Sequence, residues 1–440
     1  MERTEPLLVY IHGKAYDLAE FRASHPGGAR WLDIVEGEDA TALFESYHAT
    51  SLRRSWIDNK LRSLEVEVVP PSKVQQSSRL YSFKEDDFYQ TVAERVRAKF
   101  PSGTRGIKAT RWTVAKNWCL VIFLIIAARL AWYGGCIGAG GGVVLGALHT
   151  MVGFCVMHDA SHAAVSTSAS LNQMLSRLTN ASQLWWHDTW LRHHCVAHHS
   201  HTGHEKLDPD KRHALPLIAK HVAHLKKRAL VLGTPTSRAI YHAAVMTVMP
   251  GQFVGQIIGY TIGLLRGHLW GVSLRQARRS PLEVVVFVTI LAFHGALLFM
   301  HPFSDLAYFL GFNLLYFCSI APNHDVAEVA VAAQMRGAVG TVDWGEAQVR
   351  ASANFSTNVP LIGLLLGGIN YQIEHHLFPG VSHAHYPELQ QIVRDECEKR
   401  GLPYVDHSWA KALKSYFQAL EWTNSQRLSP SGPTGAAAAA

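Results

Sequence analysis

Leu191-Arg192-His193-His194-Cys195-Val196-Ala197-His198-His199-Ser200-His201 places five imidazoles in eleven residues, a density that packing alone does not require. His194 and His198 are four apart, so on a helix their rings share one face a turn apart, and His199 reaches the same metal from the side. Two further stretches have related spacing. His158-Asp159-Ala160-Ser161-His162 repeats the i, i+4 pair, and Gln372-Ile373-Glu374-His375-His376 sets a glutamine ahead of two histidines at i+3 and i+4. A lone pair of this kind is ordinarily a solvated or core feature, but three clusters in one chain supply seven placed imidazoles. Neutral imidazole suits iron, copper and zinc, and seven exceed what one tetrahedral zinc can use. Two metals sharing the set fit better, and iron is the usual choice for activating oxygen.

The composition is that of a membrane core with soluble appendages: 440 residues, 48% hydrophobic and 17% charged, with room for two or three domains. The net charge of +7 and the run Lys211, Arg212, Lys220, Lys226, Lys227 and Arg228 would favour an anionic membrane surface or acyl carrier, or else form a solvated basic loop. Nucleic acid is not an expected partner. Six cysteines occur singly without CxxC and read as reduced residues. The first residues lack a long apolar run and cleavage site, so no cleaved signal peptide is expected and the first segment should stay cytosolic.

Residues 5–69 are polar and alternate short apolar strands with helical stretches around His25-Pro26-Gly27-Gly28. Asp39-Ala40-Thr41, Phe44 and His48 follow, and the set resembles a cytochrome b5-type haem domain. That resemblance implies haem b with His25 and His48 as axial ligands; such a six-coordinate iron transfers single electrons. Pro70 to Ser78 has the Pro, Ser and Gln content of a flexible linker. Phe88, Val92, Val96 and Phe100 then have the spacing of an amphipathic helix approaching the membrane.

Thr113 to Tyr133, Gly138 to Met157, Leu282 to Met300 and Leu306 to Ile320 are apolar enough to span a bilayer, with Lys116 and Arg129 placed to snorkel. Val245 to Leu265 is also apolar, but Pro250 and its glycines weaken it and both flanks are basic. All histidine clusters must meet, which requires an even number of crossings, so this run is assigned to the near side of the membrane.

HDASH, HCVAHH and QIEHH, together with Asp343-Trp344-Gly345, Ser352-Ala353-Asn354-Phe355 and His376-Leu377-Phe378-Pro379, resemble the membrane-bound front-end fatty acyl desaturases over nearly the whole chain. The implied fold is a small α+β cytochrome b5-type haem domain fused to an all-α membrane domain with four transmembrane helices and a cytosolic di-iron histidine cap. The divisions are residues 1–69 (haem domain), 70–112 (linker and amphipathic helix), 113–425 (desaturase domain) and 426–440 (low-complexity tail).

The resemblance implies two irons held by His158, His162, His194, His198, His199, His324, His375 and His376. In it His324 is an added ligand after the fourth helix, and Gln372 lies close without ligating strongly. It further implies O2 as co-substrate and electrons from NAD(P)H through cytochrome b5 reductase. The substrate would be a polyunsaturated acyl-CoA or phospholipid acyl chain at the endoplasmic reticulum membrane, with haem domain and boxes cytosolic. The product would carry a new cis double bond, with a lean to Δ5, then Δ4 or Δ6. Rival readings are a sphingoid long-chain base desaturase, a haem-fused lipid hydroxylase and a non-enzymatic electron carrier.

Overall fold

The computed structural model describes residues 5–212, 220, 237, 240, 241, 244, 251–330 and 341–425. Lys226, Lys227, Arg228, the start of the Val245 to Leu265 run and the low-complexity tail therefore lie outside the described residues.

In the N-terminal unit, β1 (Leu8–Ile11) and β2 (Lys14–Asp17) pair antiparallel, and β3 (Glu65–Val66) adds to β2. The β1–β2 turn is His12-Gly13, both at positive φ, as a tight two-residue hairpin demands. Helices α1 (Ala29–Ile34), α2 (Thr41–His48) and α3 (Arg54–Arg62) pack on the sheet. Leu7, Val9, Ile11, Tyr16, Ile34, Leu43 and Phe44 form the core, and Leu191, Cys195 and Val196 of the central histidine stretch belong to the same cluster. The unit is thus seated on the metal-ligand candidates.

The Pro70 to Ser78 stretch contains a short helix, α4 (Ser72–Ser77), which corrects the expectation of a flexible linker. Val74 is buried with Tyr10 and Ala15, and that apolar contact orders the segment. Helix α5 (Phe88–Lys99) has the expected amphipathic face, yet Phe88, Tyr89, Val92 and Val96 pack against Trp344, Tyr386, Leu389 and Val393. Its apolar side is satisfied by protein, so it does not face lipid.

Four helices among the described residues are long and apolar enough to cross a bilayer of about 30 Å: α6 (Arg111–Ala131), the Gly135–Ser161 helix, and the two helices Pro281–Met300 and Pro302–His324. The second, α7 (Gly135–Val152), continues through a π-helical turn at Gly153–His158, so the first histidine box is an extension of a spanning helix. Large apolar side chains such as Trp112 (85% exposed) and Phe299 (89%) need a lipid environment to be satisfied. After α8 (Ala169–Ser182) and the second box comes α9 (Gly251–Arg266), 16 residues long and not among the four. The last two spans are α10 (Pro281–Met300) and α11 (Pro302–His324), the latter ending on His324. The cap is completed by α12 (Trp344–Ala351), α13 (Gln372–Leu377), α14 (Tyr386–Arg400) and α15 (Trp409–Ser425).

Glycines let α7 and α11 touch backbone to backbone. A Cβ on Gly142 would overlap the Ser304 carbonyl, one on Gly146 the Tyr308 carbonyl, and one on Gly311 the Val143 carbonyl. Gly146→Leu should therefore cost about 3 kcal/mol or more, because neither backbone can retreat. Size-exclusion profiles in detergent would show loss of the monodisperse species, whereas a parental profile and thermal midpoint would contradict this packing.

Two basic-residue expectations are corrected. Lys211 is buried and Lys220 nearly so, and they pair with Asp325 at 2.6 and 2.9 Å, so they neutralise an internal carboxylate and do not form a free basic surface. Lys116 does not snorkel: its Nζ donates to His383 Nε2 at 2.9 Å and to the Leu364 carbonyl at 3.0 Å. His383 in turn donates from Nδ1 to Asp159 at 2.8 Å, tying the cap to the first box.

Candidate metal centre and haem site

The three boxes converge beneath the cap as buried imidazoles. Ligand atoms of His158, His162, His194 and His375 form one group, those of His198, His324 and His376 a second, and His199 joins His375 and His376, each within 4.8 Å. This corrects the reading that His194, His198 and His199 meet one metal. The second box runs through a π-helical turn, Leu191–His198, and its rings at 194 and 198 stand 5.4 Å apart. His158 and His162 approach His194 from the end of α7, while His324 approaches His198 from the end of α11. The third box divides likewise, with His375 toward the first group and His376 toward the second.

The ring nitrogens facing inward lie close together: His158 Nε2 to His194 Nε2 is 3.1 Å, His194 Nε2 to His199 Nε2 is 3.3 Å, and His199 Nε2 to His375 Nε2 is 3.0 Å. Five of the outward nitrogens are engaged by protein. His162 Nδ1 meets the Tyr47 hydroxyl at 2.7 Å, His375 Nδ1 the Tyr386 hydroxyl at 3.0 Å, and His198 Nδ1 Asp208 at 3.0 Å. His324 Nδ1 donates to the Ala351 carbonyl at 2.8 Å, and His376 Nδ1 lies 3.0 Å from Thr202 and 3.1 Å from Gln348. Metal-binding imidazoles need such partners to fix tautomer and orientation.

These residues fit two cations. His376 Nε2 is buried without a hydrogen-bond partner, a costly state that a bound metal relieves. Burial first, and then mutual repulsion, holds His162, His194, His199, His375 and His376 well below the ordinary imidazole range, so they are neutral donors. Burial also depresses His198, but Asp208 and Asp210 outweigh it and raise its pKa. Gln372 lies at the edge of the second group: its Nε2 donates to His324 Nε2 at 2.9 Å and its Oε1 accepts from Asn323 at 3.1 Å. An apolar cavity lined by Phe154, Met157, Trp185, Trp190, Tyr316 and Phe317 opens onto His158, His194, His198 and Gln372.

In the N-terminal unit His25 and His48 face each other with ring centres 6.4 Å apart. That is the separation of two imidazoles sharing one metal through nitrogens at about 2 Å each. Their Nδ1 atoms donate to Gly28 O (3.1 Å) and Phe44 O (2.8 Å), which leaves both Nε2 atoms for a metal. Burial is the main reason that both titrate low, His48 down to about 4. A Cβ on Gly27 would come 2.8 Å from His25 Cε1, which explains a glycine beside this histidine.

The unit is held on the cap by polar contacts as well as by its core. Arg30 reaches Asp188 at 2.6 Å and the Gln276 carbonyl at 2.5 Å, and Arg192 reaches the Ile34 carbonyl at 2.8 Å and Glu38 at 3.1 Å. The sequence reading missed Tyr47, Thr202, Asp208, Gln348 and Tyr386, the groups that orient the box histidines. They belong to no histidine motif, and only folding brings them to the rings.

Buried imidazoles gathered for two cations at the mouths of four apolar helices, with a unit presenting two facing histidines seated on them, have the features of a membrane metalloprotein of redox type. The fatty acid desaturase profile matches residues 135–408, and the cytochrome b5-like heme/steroid binding domain profile matches residues 2–65. The acyl-lipid (7-3)-desaturase, chloroplastic, of Chlamydomonas reinhardtii is 30% identical over 89% of this chain and 75% of its own length. The acyl-lipid (8-3)-desaturase of Physcomitrium patens is 27% identical over 93% and 87%, and Delta(5) fatty acid desaturase A of Dictyostelium discoideum is 24% identical over 94% and 89%. The chain belongs to the fatty acid desaturase family, as a form fused to an N-terminal cytochrome b5 domain. It is an oxidoreductase that acts on lipid in a membrane, and its two domains imply iron and haem.

Proposed function

We propose that this protein is a front-end desaturase that inserts a cis double bond into a polyunsaturated acyl chain, using O2 and electrons passed through its own haem domain. The observation that carries this reading is the pair of histidine groups opening onto an apolar cavity, with a haem domain docked against the same histidines. Bound iron would supply the oxygen chemistry and bound haem the one-electron steps. His158, His162, His194 and His375 would hold one iron, and His198, His324 and His376 the other. His199 lies between the groups, and Gln372 shapes the substrate side. Trp185, Trp190 and Tyr316 line the path of the acyl chain and keep water from it. His25 and His48 would hold the haem. Residues 1–69, 70–112 and 113–425 are the working division into haem domain, connector and desaturase domain.

The name of the Dictyostelium relative, a Delta(5) fatty acid desaturase, supports a fatty acyl substrate and a lean to Δ5. Expression in a host lacking polyunsaturated lipids, fed a panel of fatty acids, tests it by locating double bonds in the products. A product lighter by two hydrogens, with the new bond between an existing one and the carboxyl end, is expected. A gain of one oxygen would identify a hydroxylase, and a modified sphingoid base the rival substrate class.

The electron source is proposed to be NAD(P)H through a cytochrome b5 reductase, and the setting the endoplasmic reticulum membrane with both domains cytosolic. Four spans put the loop between α6 and α7 across the membrane from the haem domain. A membrane-impermeant thiol reagent applied to sealed microsomes should label Arg275→Cys and spare Tyr133→Cys, in a background without other accessible cysteines. Labelling of both from the same side would refute the topology.

A further inference from the structure

We propose that Tyr47 is the joint through which electrons pass from the haem domain to the metal centre, and that it orients the metal ligand His162. The inference deepens the desaturase reading and rests on it. Tyr47 sits on α2 immediately before His48, one of the two haem-ligand candidates. Its hydroxyl lies 2.7 Å from His162 Nδ1, and the two rings are nearly parallel, 20° apart in plane with centres at 6.3 Å. Among the described hydrogen bonds between the two domains, this one joins a chain neighbour of a haem-ligand candidate to a box histidine. Arg30–Asp188 and Arg192–Glu38 fasten the interface but touch neither kind of ring.

Chemistry sets the direction of the bond. If His162 binds its metal through Nε2, its Nδ1 carries the proton and donates to the Tyr47 hydroxyl oxygen, so the tyrosine fixes both tautomer and ring angle. The route from haem to metal is then the His48 ring, one stretch of backbone, the Tyr47 ring, one short hydrogen bond and the His162 ring. In each transfer the haem iron goes from ferrous to ferric and the metal centre gains that electron. The haem would be reduced again by NAD(P)H through the proposed cytochrome b5 reductase, and no bond on Tyr47 is made or broken. Trp31, with its ring centre 5.1 Å from that of Tyr47, holds the tyrosine ring from the haem-domain side.

The test uses the full-length protein loaded with haem and iron in lipid nanodiscs. The haem is reduced by NADH and cytochrome b5 reductase, and its reoxidation is followed by stopped flow after mixing with oxygen and acyl substrate. Tyr47→Phe should slow reoxidation about 10–100-fold, the usual effect of removing a group that orients a metal ligand. Its low-spin haem spectrum, haem midpoint potential and protease resistance of the 70–80 segment should match the parent, and rates are compared per bound iron. Tyr47→Leu, which also removes the ring, should be slower still. Reoxidation of Tyr47→Phe at the parental rate overturns the proposal. A shifted haem potential in Tyr47→Phe also overturns it, because the effect would then lie in the haem and not in the contact with His162. If haem in the parent reoxidises no faster with iron than without it, the desaturase reading itself fails, and this inference with it.

Discussion

His376→Ala should leave the protein short of iron and reduce turnover more than about 100-fold, beyond the usual range for removing a group that merely supports a ligand. Its Nε2 is a buried nitrogen without a hydrogen-bond partner, while Nδ1 is already engaged by Thr202 and Gln348. Removing the ring therefore opens one position of the His198, His324 and His376 group and takes away the N–H that faces the Thr202 hydroxyl and the Gln348 amide oxygen. Gln372→Ala is the instructive comparison. Its amide hydrogen bonds run to His324 and Asn323, and an amide is a poorer donor to iron than imidazole. That variant should keep much of its iron while losing activity, because Gln372 borders the cavity proposed for the acyl chain. Metal analysis of both beside the parent decides the matter. Equal iron loss would promote Gln372 to a ligand, and full retention in His376→Ala would refute the ligand assignment.

His48→Ala should abolish the low-spin haem spectrum and, with it, electron supply from NAD(P)H. Both His48 and His25 are oriented by backbone carbonyls at fixed distance, so no neighbouring side chain can take the place of the lost nitrogen. Turnover should fall to the level supported by non-physiological reductants, while iron content stays near that of the parent because His48 contacts no box histidine in the ligand groups. A His48→Ala protein that retains the low-spin spectrum would show the ligand to be another residue.

Much of the site could be read before the fold was known, because metal ligands of one box are neighbours in sequence. The four spans were equally legible, since a bilayer imposes length and apolarity on each helix separately. What could not be read was partnership. Whether His194 and His198 serve one metal or two depends on which helices approach them from outside the box. Lys211 and Lys220 look like surface charges until Asp325, more than a hundred residues away, is found between them. Lys116 resembles a snorkelling residue for the same reason, its acceptor being His383 in the cap. The apolar face of α5 has the pattern expected of lipid contact, and periodicity cannot distinguish lipid from Trp344 and Tyr386. Tyr47 is the clearest case: its significance lies wholly in being next to His48 in sequence and next to His162 in space.

The seating of the haem domain also governs the timing of catalysis. Arg30, Arg192 and the shared apolar core clamp it in place, so every catalytic unit owns a single one-electron store held at constant distance. Desaturation consumes two electrons, and the store must therefore be refilled once in mid-cycle without the domain leaving its seat. On the proposed electron route a reductase would dock on the outward side of a complex that stays closed, and product formation should follow the frequency of those visits. An isolated haem domain added in trans would then be a poor substitute, because the seat it needs is already occupied.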